Sequence, residues 1–380
     1  MGLFGKPVRQ TVALVDIGSS SVGGAYAHFE PASAPTLYFT ARIPITRREG
    51  EEAGKSMLRA LEELGHVMVR YGGPVLRKEL KTGHASCVLA SIASPWQETR
   101  VRVETISEEK PFLFTRQLLH ETAKKSAQVI EGRREADEAV IATLLNGYEI
   151  GNPFGKKAKR ADLIILSSSL EDDVAGKIEK TLRHAFHNNH VVTTAFAPLS
   201  YAVIRDMYPH EKDFLIVDVT GEATDFIFVK QGILTDVSSV PLGAHSLITS
   251  LKKESNTCPV EPMTLPTPTT KGGGASETNA SQEAWKSAVC TVLRDFKTRH
   301  ALPRSVFLLA DEPIRAFMEG LLDSRDVHSL WLSDEPLTVI ALCPEHLAQF
   351  VRTRGEAEGD VFLAMLALYH NKRFEPLPKT

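Results

Sequence analysis

Short apolar runs closed by small or polar turn residues recur along the chain and alternate with longer stretches of helical spacing, a pattern that predicts layered α/β structure. The run at 12–16 (VALVD), the turn Ile17-Gly18-Ser19-Ser20-Ser21 and the run at 22–29 predict a β-hairpin with a compact tip, and 37–45 a third strand beside it. Met57, Leu58, Leu61, Leu64, Val67 and Met68 then repeat at helical spacing, giving an amphipathic helix over 53–71. A buried strand follows at 86–91 (SCVLAS). From 94 to 160 the character changes: Val101 and Val103 alternate with polar residues, a helix is expected over 115–131, and the stretch ends in the turn Gly151-Asn152-Pro153-Phe154-Gly155. These residues are expected to form an inserted small α+β unit. The apolar strand 163–166 is expected to resume the main sheet, with a helix over 170–186, a strand at 191–195 and a helix over 198–208 completing a first lobe made of 1–93 and 161–212.

The hairpin theme returns at 214–231 (FLIVDVTGEATDFIFVKQ), with a third strand at 233–240. This opens a second lobe over 213–252. The stretch 253–283 is rich in Pro, Thr, Ser, Gly and Asn and is expected to be a mobile surface loop, too polar to offset its ordering entropy. A helix over 284–299, a strand at 306–309, a helix over 314–322, a strand near 337–342 and a last helix near 359–369 are expected to finish the second lobe, 284–380.

The two hairpins also carry the candidate chemistry, VDIGSSSVG from Val15 and VDVTGEATD from Val217. Each puts an Asp at the end of an apolar strand, ahead of small or hydroxyl residues. Small residues let backbone N–H groups approach phosphate oxygens, hydroxyls add donors, and an Asp can hold a hydrated Mg²⁺ or orient a water. Two such loops facing each other make a phosphate clamp. Its candidate residues are Asp16 and Asp218 toward Mg²⁺ through water, and Gly18, Ser19, Ser20, Ser21, Thr220, Gly221 and Thr224 toward phosphate.

Composition narrows the partners. The 380 residues, 43% hydrophobic and 24% charged, suffice for two or three domains. A net charge of −3, from 44 basic against 47 acidic residues, gives no global field to gather a nucleic acid. Cys87, Cys258, Cys290 and Cys343 lie far apart without metal or disulfide spacing, which fits reduced thiols and a cytoplasmic setting. No window is apolar enough for a membrane span or a signal peptide. His184, His187 and His190 read as a solvated helix end and the basic run 156–160 as a solvated loop. No GxSxG, HExxH or GxxxxGK[ST] pattern is present.

With the two hairpins in place, the chain resembles the actin-like ATPases, and in particular the FtsA group of bacterial division proteins. Segments 106–125 (ISEEKPFLFTRQLLHETAKK), 152–169 (NPFGKKAKRADLIILSSS) and 195–206 (AFAPLSYAVIRD) fall in that group's order over almost the whole chain. The pilus component PilM shares the fold and the insertion and is the near competitor. The resemblance implies an actin-like ATPase fold of two lobes with mixed five-stranded-type sheets and an inserted domain at 94–160 that contacts neighbours. It also implies ATP with Mg²⁺ as cofactors, Gly243 as the glycine turn after the second phosphate loop, and self-assembly or an FtsZ-like division tubulin as partner. A PilM-like pilus platform and a small-molecule kinase of the same superfamily are the alternatives, though no catalytic base can be placed for the latter. The departures point to at most a weak ATPase: Thr220 and Glu222 replace glycines, Ala310-Asp311-Glu312-Pro313 stands where a glycine-rich turn passes the nucleoside, and a short helix at 246–253 with the polar loop replaces a closing subdomain. The apolar 361–369 reads as buried in the second lobe rather than as a membrane helix, so any place at the membrane would come through partners.

Overall fold

The computed structural model describes residues 9–125, 131–248, 276–311, 314–331 and 337–372. The expected loop over 253–275, the residues Glu312-Pro313 and the tail beyond 372 lie outside these.

Strands β1 (Gln10–Ile17) and β2 (Ser21–Phe29) form the first hairpin, and β3 (Thr36–Pro44) runs antiparallel to β2. Helix α1 (Ala53–Val67) does not stop at 71 as the pattern suggested: a π-helical turn, Met68–Gly72, carries it into α2 (Gly73–Leu80). The wide turn lets the helix pass Pro74, which has no N–H to donate, without ending. Gly72 is needed there because a Cβ would come within 2.8 Å of the Tyr26 and Phe39 rings. Strand β4 (Cys87–Ile92) then lies parallel to β1.

The insertion contains β5 (Gln97–Leu113), α3 (Arg116–Lys125), β6 (Arg133–Leu145), β7 (Tyr148–Glu149) and β8 (Lys157–Glu171), with the four strands in the order β5-β8-β6-β7. Its core is Phe114, Leu119, Ala123, Leu145, Ala161, Leu163 and Ile165. The strand expected at 163–166 to rejoin the main sheet is therefore part of β8, paired on both sides inside this third sheet. An apolar run is equally at home in either sheet, so the pattern alone did not choose. Helix α4 (Asp172–Phe186) starts accordingly two residues after Leu170, which is still strand.

Strand β9 (Val191–Ala195) joins the first sheet parallel to β4, and α5 (Phe196–Met207) leads away from it. The second hairpin is β10 (Phe214–Val219) and β11 (Thr224–Lys230), followed by β12 (Ile233–Val240) and a helical turn, α6, at 244–248. Helix α7 (Ser276–Arg299) begins earlier than the expected 284, so 276–283 is helix and not loop. Its polar first turns precede Trp285, Val289, Leu293 and Phe296, the face that enters the core. After β13 (Ser305–Leu309) come α8 (Ile314–Leu322), α9 (Arg325–His328), β14 (Thr338–Ala341), α10 (Pro344–Leu347), β15 (Arg352–Glu356) and α11 (Val361–Lys372).

The two large sheets follow one plan. Their orders are β15-β3-β2-β1-β4-β9 and β12-β11-β10-β13-β14. In each, the first hairpin strand is central, its antiparallel partner and a third strand lie on one side, and two parallel strands lie on the other. Helices α5 and α11 fill the space between the sheets, where Leu199 and Val203 meet Leu363 and Leu366 among Val12, Leu14 and Ala25 of one sheet and Phe214, Ile216 and Ile227 of the other. The last helix thus differs from the expectation of a place in the second lobe. Strand β15 pairs with β3 and returns the chain to the first sheet, and α11 is clasped between both. Burying Leu363, Met365, Leu366 and Ala367 completely contributes roughly 2 kcal/mol per large apolar side chain, which ties α11 to protein rather than lipid. Among the described residues no helix is long and apolar enough to cross a membrane.

Candidate functional site at the two hairpin tips

Because the sheets share a plan, Asp16 and Asp218 hold equivalent places near the ends of β1 and β10. Asp16 faces Gly23 across the hairpin and Ser91 on the parallel side; Asp218 faces Asp225 and Leu309. Both are almost fully buried, at 3% and 2% exposure. What surrounds them differs.

Around Asp16 one cation is shared between two carboxylates. Arg42, projecting from β3, donates to Asp16 Oδ2 through both Nη1 and Nη2, each at 3.1 Å, while Ser91 Oγ donates to Oδ1 at 3.0 Å. The same guanidinium holds Asp360 at two points, Nε to Oδ2 at 2.7 Å and Nη2 to Oδ1 at 3.0 Å, and donates to Ser21 Oγ at 2.9 Å. Asp360 in turn caps α11, accepting from the Leu363 N–H at 2.9 Å. Gly23 makes the room: a Cβ there would lie 2.6 Å from Arg42 Nη2. Burial raises the Asp16 carboxyl above its ordinary value, Arg42 pulls it back down, and Asp360 adds to the rise.

Around Asp218 the charges are not matched. Residues paired across antiparallel strands point to the same face, so Asp218 and Asp225 stand side by side. Asp225 Oδ2 accepts from Ser94 Oγ at 2.6 Å and Gln97 Nε2 at 3.0 Å, while Asp225 Oδ1 and Asp218 Oδ1 have no hydrogen-bond partner. Burial first, and then the nearby Asp225, Asp16 and Asp311, push the Asp218 carboxyl well above the ordinary carboxylate range. Burial and like charge both disfavour the ionised form there.

The tips themselves are in contact. Ser19 Oγ donates to Thr220 Oγ1 at 2.9 Å and accepts from the Glu222 N–H at 2.9 Å. Gly221 lies so close to the first tip that a Cβ would sit 2.6 Å from the Ser19 carbonyl oxygen, and a Cβ on Gly243 would sit 2.3 Å from Gly221. The turn at 241–243 is therefore stacked beneath the second tip, fastened by Ala244 N–H to Thr220 O at 2.8 Å, His245 N–H to Gly221 O at 3.0 Å and Thr224 Oγ1 to Leu242 O at 2.7 Å. Above the contact, Glu222 Oε1 accepts from Arg47 Nη1 of the first lobe and from His245 Nδ1, both at 3.0 Å.

Of the residues singled out from sequence, Ser19, Thr220, Gly221 and Gly243 converge on this contact. Asp16 and Asp218 lie at the strand ends behind it. Gly18 is internal to the first turn, where its N–H donates to Ser21 O at 3.1 Å, and Ser20 offers its carbonyl to Ile45 N–H at 2.8 Å. Ser21 is turned to Arg42 and Thr224 to Leu242. Sequence reasoning missed Arg42, Asp225, Ser94 and Arg47. Asp225 was accessible from the hairpin register; the others come from distant stretches of chain.

Mg²⁺ asks for ionised oxygens with free lone pairs and room for its waters. Asp16 already accepts from Arg42 and Ser91, Asp218 Oδ1 is unpartnered but lies beside the Asp225 carboxyl, and the hydroxyls and the Glu222 N–H that would cradle phosphate are used between the tips. The arrangement does not fit Mg²⁺ with a polyphosphate between the loops. Elsewhere, no group of three or more His, Cys, Asp or Glu side chains among the described residues is placed to hold a metal, the histidines near 184–190 included.

No protein-family profile matches this chain, and no curated protein matches it. Among solved structures it is similar to a PilM-PilN type IV pilus biogenesis complex, at 14% identity and a TM-score of 0.60, covering 96% of this chain and 100% of that one. Fainter likenesses, with TM-scores of 0.43, are to a Bacteroides thetaiotaomicron protein of actin-like ATPase fold and unknown function (9% identity; 95% and 96% covered) and to diol dehydratase-reactivating factor in nucleotide free form (11%; 96% and 100%). The fold is the actin-like ATPase fold, with two lobes and an inserted domain.

Proposed function

We propose that this chain is an actin-like scaffold that acts by recruiting a protein partner, with its phosphate clamp held closed by its own side chains and with little or no ATP turnover. The observation that carries the reading is the direct Ser19–Thr220 contact between the tips, backed by Arg42 on Asp16 where a cation would otherwise be needed. Of the two specific roles, a PilM-like pilus platform is favoured, since the similar PilM-PilN complex matches the chain end to end in fold. An FtsA-like division scaffold that recruits a division tubulin is the second reading, favoured by segments 106–125, 152–169 and 195–206.

Two measurements on the purified chain test this. Calorimetric titration with ATP and Mg²⁺ is expected to give no saturable heat; micromolar binding lost on substituting Asp16 or Asp218 would defeat the closed-clamp reading. Capture by an immobilised short peptide from a pilus membrane protein, and not by the tail of a division tubulin, is the outcome expected for the favoured role. The reverse preference would select the division scaffold.

A further inference from the structure

The triad above the tips has a chemistry of its own. Glu222 stands at the second tip, and one oxygen of its carboxylate, Oε1, takes both Arg47 Nη1 from the first lobe and His245 Nδ1 from the turn after β12. An ionised carboxylate only accepts, so His245 carries its proton on Nδ1 and acts as a donor here. Arg47 is itself anchored by donating Nη2 to the Glu51 carbonyl at 3.3 Å, and Glu51 is held by Arg59 at 2.8 Å and by the Arg48 N–H at 2.9 Å. Arg47 is thus held by local contacts that do not involve Glu222. Side-chain exposures of 44% for Arg47, 28% for Glu222 and 32% for His245 leave the triad partly open to solvent and so to a small solute.

An arginine and an imidazole N–H converging on one oxygen form a receptor for an oxyanion. We propose that Arg47 and His245 form an oxyanion-binding pair beside the tip contact whose resident occupant is the tethered carboxylate of Glu222, and that a phosphate group takes this place when the Glu222 charge is removed. This rests on the reading of the clamp as closed, and it adds what keeps it closed. Glu222 acts twice: it fills the receptor, and it bolts the second tip to the first lobe through Arg47. A free phosphate, a pyrophosphate and a nucleotide share the chemistry that would compete with it.

The test uses the full chain as wild type, Glu222→Gln, Glu222→Asp and the double variant Glu222→Gln with Arg47→Met, titrated with inorganic phosphate, pyrophosphate and ATP in magnesium-free buffer. The expected result is that Glu222→Gln binds pyrophosphate at least about tenfold more tightly than wild type, as removal of a competing and repelling charge requires. Glu222→Asp, which keeps the charge, shows no such gain, and Arg47→Met abolishes the gain of Glu222→Gln. A gain shared by the three anions supports the oxyanion pair; a gain confined to ATP puts the new contact on the base and overturns it. No gain in a Glu222→Gln protein that melts like wild type overturns it too, as does a gain that survives Arg47→Met. Should Glu222→Gln fail to fold, Glu222→Ala is titrated in its place under the same criteria. Tight ATP binding by the wild type would instead sink the closed-clamp reading, so the two failures are distinguishable.

Discussion

The first and second hairpins share strand order, register and an Asp at the same place, yet one neutralises that Asp with an internal cation and the other sets a second carboxyl beside it. The difference turns on the residue opposite. Gly23 leaves space for Arg42 to cross β2 and reach Asp16, whereas Asp225 fills the corresponding space opposite Asp218 and brings a like charge. A duplicated backbone plan therefore fixes where the carboxyls stand, and the opposite residue decides whether each meets a cation or a second carboxyl. One hairpin became an ion-paired joint linking β1, β3 and α11, and the other a joint to the root of the insertion, in which Asp225 accepts from Ser94 and Gln97.

The largest effect expected from breaking this contrast is that of Arg42→Ala, which strands Asp16 and Asp360 together without their cation. A loss of about 3–5 kcal/mol in urea unfolding is expected, as for other broken buried ion pairs; a loss near zero would show that the network carries no weight. Gly23→Ala attacks the same joint from behind by displacing the guanidinium, and about 1–3 kcal/mol of destabilisation is expected in the same measurement. The matched pair Asp16→Asn and Asp218→Asn sharpens the comparison through opposite signs. The first removes a charged acceptor from Arg42 and costs about 2 kcal/mol, whereas the second removes a carboxyl with an unpartnered oxygen and is neutral or stabilising by about 1 kcal/mol at pH 8.

The pH dependence of the second pair follows from the direction of the Asp218 shift. A carboxyl whose folded value lies above its unfolded value of about 4 binds more protons in the folded chain, so its contribution is fully present below about pH 4 and is lost as pH rises toward the folded value. Wild-type stability should decline over that window, and Asp218→Asn should flatten the decline; equal slopes in chemical denaturation across pH would contradict the upward shift of the Asp218 carboxyl. The smallest effect expected is that of Ser19→Ala, about 1 kcal/mol, since one hydroxyl both donates to Thr220 and accepts from Glu222.

Much of the fold could be read from the chain because the hairpins announce themselves: apolar runs ending in Asp and small residues at Val15 and at Val217 predict both hairpins, and the topology built around them repeats. What could not be read was which surface an apolar run would cover. Residues 163–166 and 361–369 are apolar in either setting, and only the pairing of β8 with β5 and β6, and of β15 with β3, puts one in the insertion and the other between the sheets. At the site, the hydroxyls and aspartates stood out by type and spacing, and Glu222 by its contrast with glycine. Arg42 did not, because a single arginine in the strand 37–45 looks like a solvent-facing residue until β2 and α11 close over it.

The account depends on the two tips touching. The most direct measurement is disulfide formation in a Ser19→Cys, Thr220→Cys double variant under mild oxidation, read by mass spectrometry of the cross-linked peptides, because the native hydroxyls are 2.9 Å apart. Rapid cross-linking that proceeds equally with and without ATP and Mg²⁺ is the result predicted. Absence of the cross-link in a folded variant, or its suppression by ATP and Mg²⁺, would mean that the tips stand apart around a ligand and would contradict the account.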